Sequence, residues 1–228
     1  MVPYFLTPTG NRSEGLALLG EYLEAQTYQG PGKWIIVDDC DPASYIPPTR
    51  FETEIIRPDW RWRNGQNTQA DCLLAGLERI PGDAVVFVLE DDDAYLPEYV
   101  ATMLAALESS DLVGESSARY YNVRTGRFKE MPTPRHSSLA STALRGTEAL
   151  RNACKGRPKF IDIGLWHQFR GRKALLDTHN VVGIKGLPGR QGIGVGHRAT
   201  FGDPDTAGVL RQWAGAYADN YDIFRTAT

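Results

Sequence analysis

The stretch "VVFVLEDDDAYLP" (residues 85–97) runs five apolar residues directly into Glu90, Asp91, Asp92 and Asp93. An apolar run of this length, closed by polar residues, predicts a strand buried on both faces, as in a parallel sheet. Four carboxylates at the end of such a strand repel one another, and repel more as water is excluded, so the fold demands positive charge beside them. A hard divalent cation, Mn²⁺ or Mg²⁺, meets that demand. Such ions take oxygen ligands, keep several waters and are usually held by one or two carboxylates together with substrate phosphates. The plainer alternative is an acidic N-terminus on the helix that follows, favoured by the helix dipole. That accounts for one or two acids, hardly for four.

Outward from this stretch the pattern repeats. "VPYFLT" is a short apolar run ended by "PTGN", and "RSEGLALLGEYLEAQTY" then spaces Leu and Tyr as a helix does, with Ser13 as its expected N-cap. "KWIIVDDCDP" and "FETEIIRP" are two more apolar runs, "NTQADCLLAGLERI" has helical period with Pro81-Gly82 stopping it, and "LPEYVATMLAALESS" is a helix with Pro97 near its first turn. Continuous apolar strands separated by helices predict α/β architecture, a Rossmann-like, mostly parallel sheet flanked by helices. Ligands bind such sheets at the carboxyl ends of the strands, where "TPTGNR", "DD" and "EDDD" all fall.

The second half is less regular. "DLVGESSARYYNVRTGRFKEM" predicts an extended segment and a hairpin about "RTG", "TEALRNACK" and "IDIGLWHQF" predict short helices, and the tail "DPDTAGVLRQWAGAYADNYDIF" one more. Seven glycines between Gly183 and Gly202 predict loops from "HNVVGIKG" onward, either as a surface connection or as backbone that approaches a phosphate closely.

Charge divides the chain in the same place. Residues 1–114 hold 7 Lys/Arg against 19 Asp/Glu, whereas residues 115–200 hold 16 against 5, although the net charge is only -3. The two halves either present different faces to different partners or neutralise each other across their interface. Cys40, Cys72 and Cys154 are odd in number and far apart, with no metal-site spacing, and are expected to be reduced core thiols. No run approaches the roughly 18 apolar residues of a membrane span, and the N-terminus lacks the pattern of a signal peptide. A cytoplasmic location is the expectation.

The order "TPTGNR", "IIVDD", a helix beginning "NTQA", then "FVLEDDDAYLPEYV" resembles the nucleotide-sugar-binding half of GT-A fold glycosyltransferases, in which a DxD-type motif holds the metal on the donor diphosphate. The resemblance implies a single GT-A-like domain over residues 1–228, with a donor half at 1–114 and an acceptor half at 115–228. It implies Asp92 as the first metal ligand and Asp93 as its alternative, with Asp91 near the ribose or sugar. It places Thr7, Pro8, Asn11 and Arg12 along the nucleotide, and Asp38 and Asp39 beside base and ribose. Glu90 stands where the largest inverting family has Asp. Later, His179 and Lys185 are spaced like that fold's late metal histidine and diphosphate lysine, with the glycine between them one position late. His197 competes for the metal. Asp162 resembles the catalytic base of the late ED motif, with Ile161 where Glu is usual; its bland role is a helix N-cap.

"ARYYNVRTGRFK" interleaves cations with aromatics on the acceptor side, a combination suited to phosphate backbone and splayed bases. The expected reaction is sugar transfer from a nucleotide sugar, UDP foremost, and the expected acceptor is a hydroxymethylated pyrimidine in DNA, as bacteriophages use. Cell-surface polysaccharide or lipid phosphates suit the same basic face. A nucleotidyltransferase and an inactive nucleotide-sugar-binding module are the rival functions.

Overall fold

The computed structural model describes residues 2–224 apart from 157, 191, 193, 194 and 199. The chain runs β1 (Pro3–Thr9), α1 (Ser13–Glu24), β2 (Lys33–Asp38), β3 (Glu52–Ile56), α2 (Gln69–Leu77), β4 (Val85–Val88), β5 (Ala94–Tyr95) and α3 (Tyr99–Ala106). It continues through β6 (Leu112–Glu115), β7 (Ser117–Asn122), β8 (Arg127–Pro132), β9 (Thr142–Arg145), α4 (Glu148–Gly156) and α5 (Ile161–Gln168). Then come β10 (Lys173–Leu176), β11 (Val181–Lys185), β12 (Asp203–Pro204), α6 (Val209–Ala214) and a 3₁₀ helix over Gly215–Phe224.

Seven strands form the main sheet in the order β10-β6-β9-β4-β1-β2-β3. The pairs β1–β2, β1–β4, β2–β3 and β6–β10 are parallel, while β9 lies antiparallel between β4 and β6. The expected mostly parallel α/β sheet is therefore present. Successive residues of each central strand point to opposite faces. Phe5, Ile36 and Phe87 join Leu16, Leu19, Tyr22 and Tyr99 on one face, whereas Leu6, Ile35 and Val86 meet Leu73, Leu77, Leu165 and Trp166 on the other. Burial on both faces is why these strands are apolar throughout. Strand β3, at the sheet's edge, is exposed over Glu52–Ile55.

Three local expectations change. Ser13 is the first helical residue of α1 rather than its cap; Arg12 holds the cap position, and the Ser13 hydroxyl accepts from the Tyr45 amide. Residues 181–185 form the buried strand β11, not a loop, paired parallel with β7 in a second sheet ordered β12-β8-β7-β11-β5. Gly183 is there for packing: a Cβ would lie 2.6 Å from the Tyr120 ring. All three cysteines are buried and unbridged. Among the described residues, no helix is long and apolar enough to cross a membrane.

Helix α1 delivers its N-terminus to the end of β4 because Gly15 has no side chain. A Cβ there would stand 2.5 Å from the backbone carbonyl oxygen of Asp91. Backbone cannot swing aside as a flexible side chain can, so Gly15→Ala should incur overpacking of about 1–3 kcal/mol. That outweighs the gain in helix propensity of at most ~1 kcal/mol. Urea denaturation should show net destabilisation.

Candidate active site

A cavity of about 740 Å³ opens at the carboxyl ends of β1 and β4. Pro8 lines it from the end of β1, Asn11 and Arg12 from the turn that follows, Glu90–Asp93 from the loop after β4, and Lys185 from β11. The acids are satisfied by the chain itself. Arg12 Nη1 lies 2.9 Å from Asp91 Oδ1 and 2.9 Å from Asp92 Oδ2. Lys185 Nζ lies 2.9 Å from Asp93 Oδ1 and 3.4 Å from Asp92 Oδ2. Thr9 donates to Asp91 Oδ2 at 2.6 Å, Gln69 donates to Glu90 Oε1 at 2.8 Å, and the Ile184 amide donates to Asp93 Oδ1 at 3.1 Å.

These partners split the four carboxyls electrostatically. Burial works to raise every one of them, but Lys185 and Arg12 overcome it at Asp92 and hold that group below the ordinary aspartate value. At Asp93 burial prevails over Lys185, and the carboxyl is pushed well above that value. Among the described residues, Glu90, Asp92 and Asp93 form a group whose oxygens lie within 4.8 Å of one another. Three convergent carboxylate oxygens are a donor set suited to a hard divalent cation. Glu90, the least expected acid, belongs to this group; Asp91 is turned instead to Thr9 and Arg12.

The other predicted residues separate clearly. Asp39 is fully buried, bonded by Thr68 and by Arg190 Nη1 at 2.9 Å. Asp38 binds the Cys40 and Ser44 amides and the Arg57 guanidinium, and does not line the cavity. Thr7 is buried beneath the cavity, its hydroxyl accepting from Trp34 Nε1 at 2.9 Å. Both Asp38 and Thr7 thus brace the strand ends, because their polar atoms are already engaged by the scaffold. His197 lines the cavity, and burial followed by the nearby Lys185 lowers its pKa to about 4, leaving the ring neutral near pH 7. His179 does not line the cavity: its ring meets Ser117 Oγ at 3.0 Å and lies 3.8 Å from Glu130. Asp162 lines the cavity from the first turn of α5; Phe160, not Asp162, occupies the N-cap position.

Two features escaped sequence reading. Arg190 bridges to Asp39 from 151 positions away and lies 5.3 Å from the centroid of the Trp62 ring, itself on the cavity wall. Gly189, at φ +90°, makes this possible, since a Cβ would fall 1.9 Å from the Asn11 carbonyl oxygen. Glu115, at the end of β6, is a buried carboxyl on the same wall. No local motif marks either one, because the partners are distant in sequence.

No protein-family model matches the sequence, and no curated protein matches it. Solved structures do match. S. aureus TarS superposes with a TM-score of 0.57 at 14% identity, over 81% of this chain and 37% of that one. The TarS 1-349 complex with UDP-GlcNAc gives 0.55 at 14% identity, over 84% and 60%, and its complex with UDP gives 0.56 at 13%, over 81% and 60%. The chain thus spans 37–60% of the lengths of these matched chains. At such identities the match speaks for the fold alone: it is the fold of TarS, a GT-A-type glycosyltransferase.

Glu115 carries a pH signature. Burial pushes its pKa from 4.5 to about 7, despite bonds from Thr178 Oγ1 at 3.0 Å and the Asn180 amide at 2.6 Å. The folded chain holds this proton more tightly than the unfolded chain does. Its contribution to stability is therefore full below pH 4.5, lost as the pH rises towards 7, and flat above. Glu115→Gln keeps an acceptor for both donors and should remove a pH dependence on the order of 3 kcal/mol, measured by urea denaturation between pH 5 and 8.

Proposed function

We propose that this chain is a glycosyltransferase that moves a sugar from a nucleoside diphosphate sugar, with UDP as the nucleotide, to an acceptor hydroxyl. The observation that carries the reading is one cavity with two chemistries. Convergent acids interleaved with cations lie at the sheet edge, and Asp162 stands on the α5 side. The neighbouring TarS structures with UDP and UDP-GlcNAc support this choice of donor. Pro8, Asn11 and Arg12 would border the nucleotide, Arg190 would meet its base end beside Trp62 with the buried Asp39 holding the guanidinium in place, and Lys185 the diphosphate.

The donor set fits Mn²⁺ or Mg²⁺, with Asp92 as the principal holder, Glu90 and Asp93 beside it, and the neutral ring of His197 nearby. When bound, the ion would supply a Lewis acid to the leaving diphosphate. Asp162 takes the proton of the acceptor hydroxyl; its oxygen forms the new bond to the anomeric carbon as the carbon–phosphate oxygen bond breaks, and the nucleoside diphosphate leaves with the electron pair. Attack from the face opposite the leaving group inverts the anomeric centre.

Arg119 and Lys159 also line the cavity, which favours an acceptor carrying phosphate. A hydroxymethylated pyrimidine in DNA belongs to that class. The aromatic half of the hairpin is less available than its sequence implied: Tyr121 is buried with its hydroxyl on Asp205, and Phe128 packs edge-on against Trp213. Phosphate contacts, rather than base stacking on these rings, would have to carry affinity.

The direct measurement is nucleotide release from a panel of nucleotide sugars with Mn²⁺, with and without hydroxymethylated DNA. One donor should give slow release, and Asp92→Asn and Asp162→Asn should each lower acceptor-dependent release by about 10²–10⁴-fold. Binding without release in the wild type would favour an inactive module, and incorporation of a nucleoside monophosphate would favour a nucleotidyltransferase. DNA affinity should fall steeply with salt, and Arg124→Ala, on the exposed hairpin turn, should reduce the slope by about one. Salt-independent affinity would remove DNA as the acceptor.

A further inference from the structure

The carboxylates suited to a divalent cation already hold a cation of the chain's own. Lys185 Nζ contacts Asp93 Oδ1 at 2.9 Å and Asp92 Oδ2 at 3.4 Å, two of the three acids in the convergent group, and the third, Glu90, adds to the field that keeps its ammonium charged. The lysine is buried in place. Its backbone is fixed in β11 opposite Asn122, its neighbour Ile184 ties Asp93 to the same strand, and its ammonium lies 5.9 Å from the centroid of the Tyr120 ring. A dication drawing on the same oxygens would stand within a few ångströms of this ammonium, at a site from which water is largely excluded. Like charges so placed repel strongly.

We propose that Lys185 and a divalent cation are alternative occupants of Asp92 and Asp93. With an ion held by these acids, Lys185 would give up its contacts to Asp92 and Asp93 and would be free to face the donor diphosphate. Arg12 also holds Asp92 Oδ2, at 2.9 Å, but it touches only that one acid of the convergent group, whereas Lys185 touches two. The site therefore exchanges one internal cation for an external one, so metal binding reports on the position of a side chain. This inference rests on the glycosyltransferase reading only in naming the diphosphate. The exchange itself involves no sugar nucleotide.

The test is Mn²⁺ binding by isothermal titration calorimetry, without nucleotide, to the wild type and to Lys185→Met, which keeps the length of the side chain and removes the charge. The variant should bind Mn²⁺ at least about tenfold more tightly. Equal or weaker affinity, including no binding to either protein, would overturn the proposal. Should the variant not fold, the wild type alone decides the matter through brief acetylation of its lysines and mass spectrometry. At a Mn²⁺ concentration that raises the melting temperature, labelling of Lys185 should rise several-fold while the exposed Lys155 stays constant. Unchanged labelling at Lys185 would sink the idea. UDP binding and nucleotide release, measured separately, report on the transferase reading, so either can fail without the other.

Discussion

Two cations enter the interior of this protein with four carboxylates, and the arrangement of the rest follows from that pairing. Arg12 arrives at the cap position of α1, and Lys185 arrives from β11, between β7 and β5 in the smaller sheet. The acids sit where β4 ends. Removing either cation would leave buried negative charge without a partner, which costs about 3–5 kcal/mol in comparable sites. The two sheets are thus joined at a point where neither can shift independently.

Much of the fold was legible because periodicity is a local property. The runs that became β1, β2 and β4 are apolar on both faces since helices cover both, and the helices α1, α2 and α3 follow from their spacing of Leu, Ala and Tyr. β11 was missed for a physical reason. Gly183 signals a loop when only its backbone freedom is considered, but here the glycine makes room for the Tyr120 ring. Ser13 was misplaced by one position, as befits a helix whose start is set by packing of Gly15 on Asp91 rather than by a side-chain cap.

The site was legible in part. Four carboxylates after a buried strand announce themselves, and the need for positive charge beside them follows from electrostatics alone. What local sequence could not convey is that Arg12 and Lys185 supply it, because their partners are 79 and 92 positions away. The same holds for Arg190 on Asp39. The charge asymmetry between the halves contained part of the clue: Lys185 and Arg190 bring base from the second half to acids of the first, whereas Arg12 pairs with its acids inside the first half. His179 shows the reverse case, a residue at suggestive spacing whose ring meets Ser117 and Glu130 and does not line the cavity.

This division of charge sets an order of events during synthesis. Asp93 leaves the ribosome 92 residues ahead of Lys185, and Asp39 precedes Arg190 by 151. At about 5–20 residues per second, Lys185 and Arg190 trail these acids by roughly 5–30 s, whereas Arg12 leaves the ribosome before Asp91 and Asp92. Throughout that interval Asp93 and Asp39 lack these two partners. The nascent chain can gather its apolar layers and the Arg12 pairs early, but the partners of Asp93 and Asp39 arrive only with the second half.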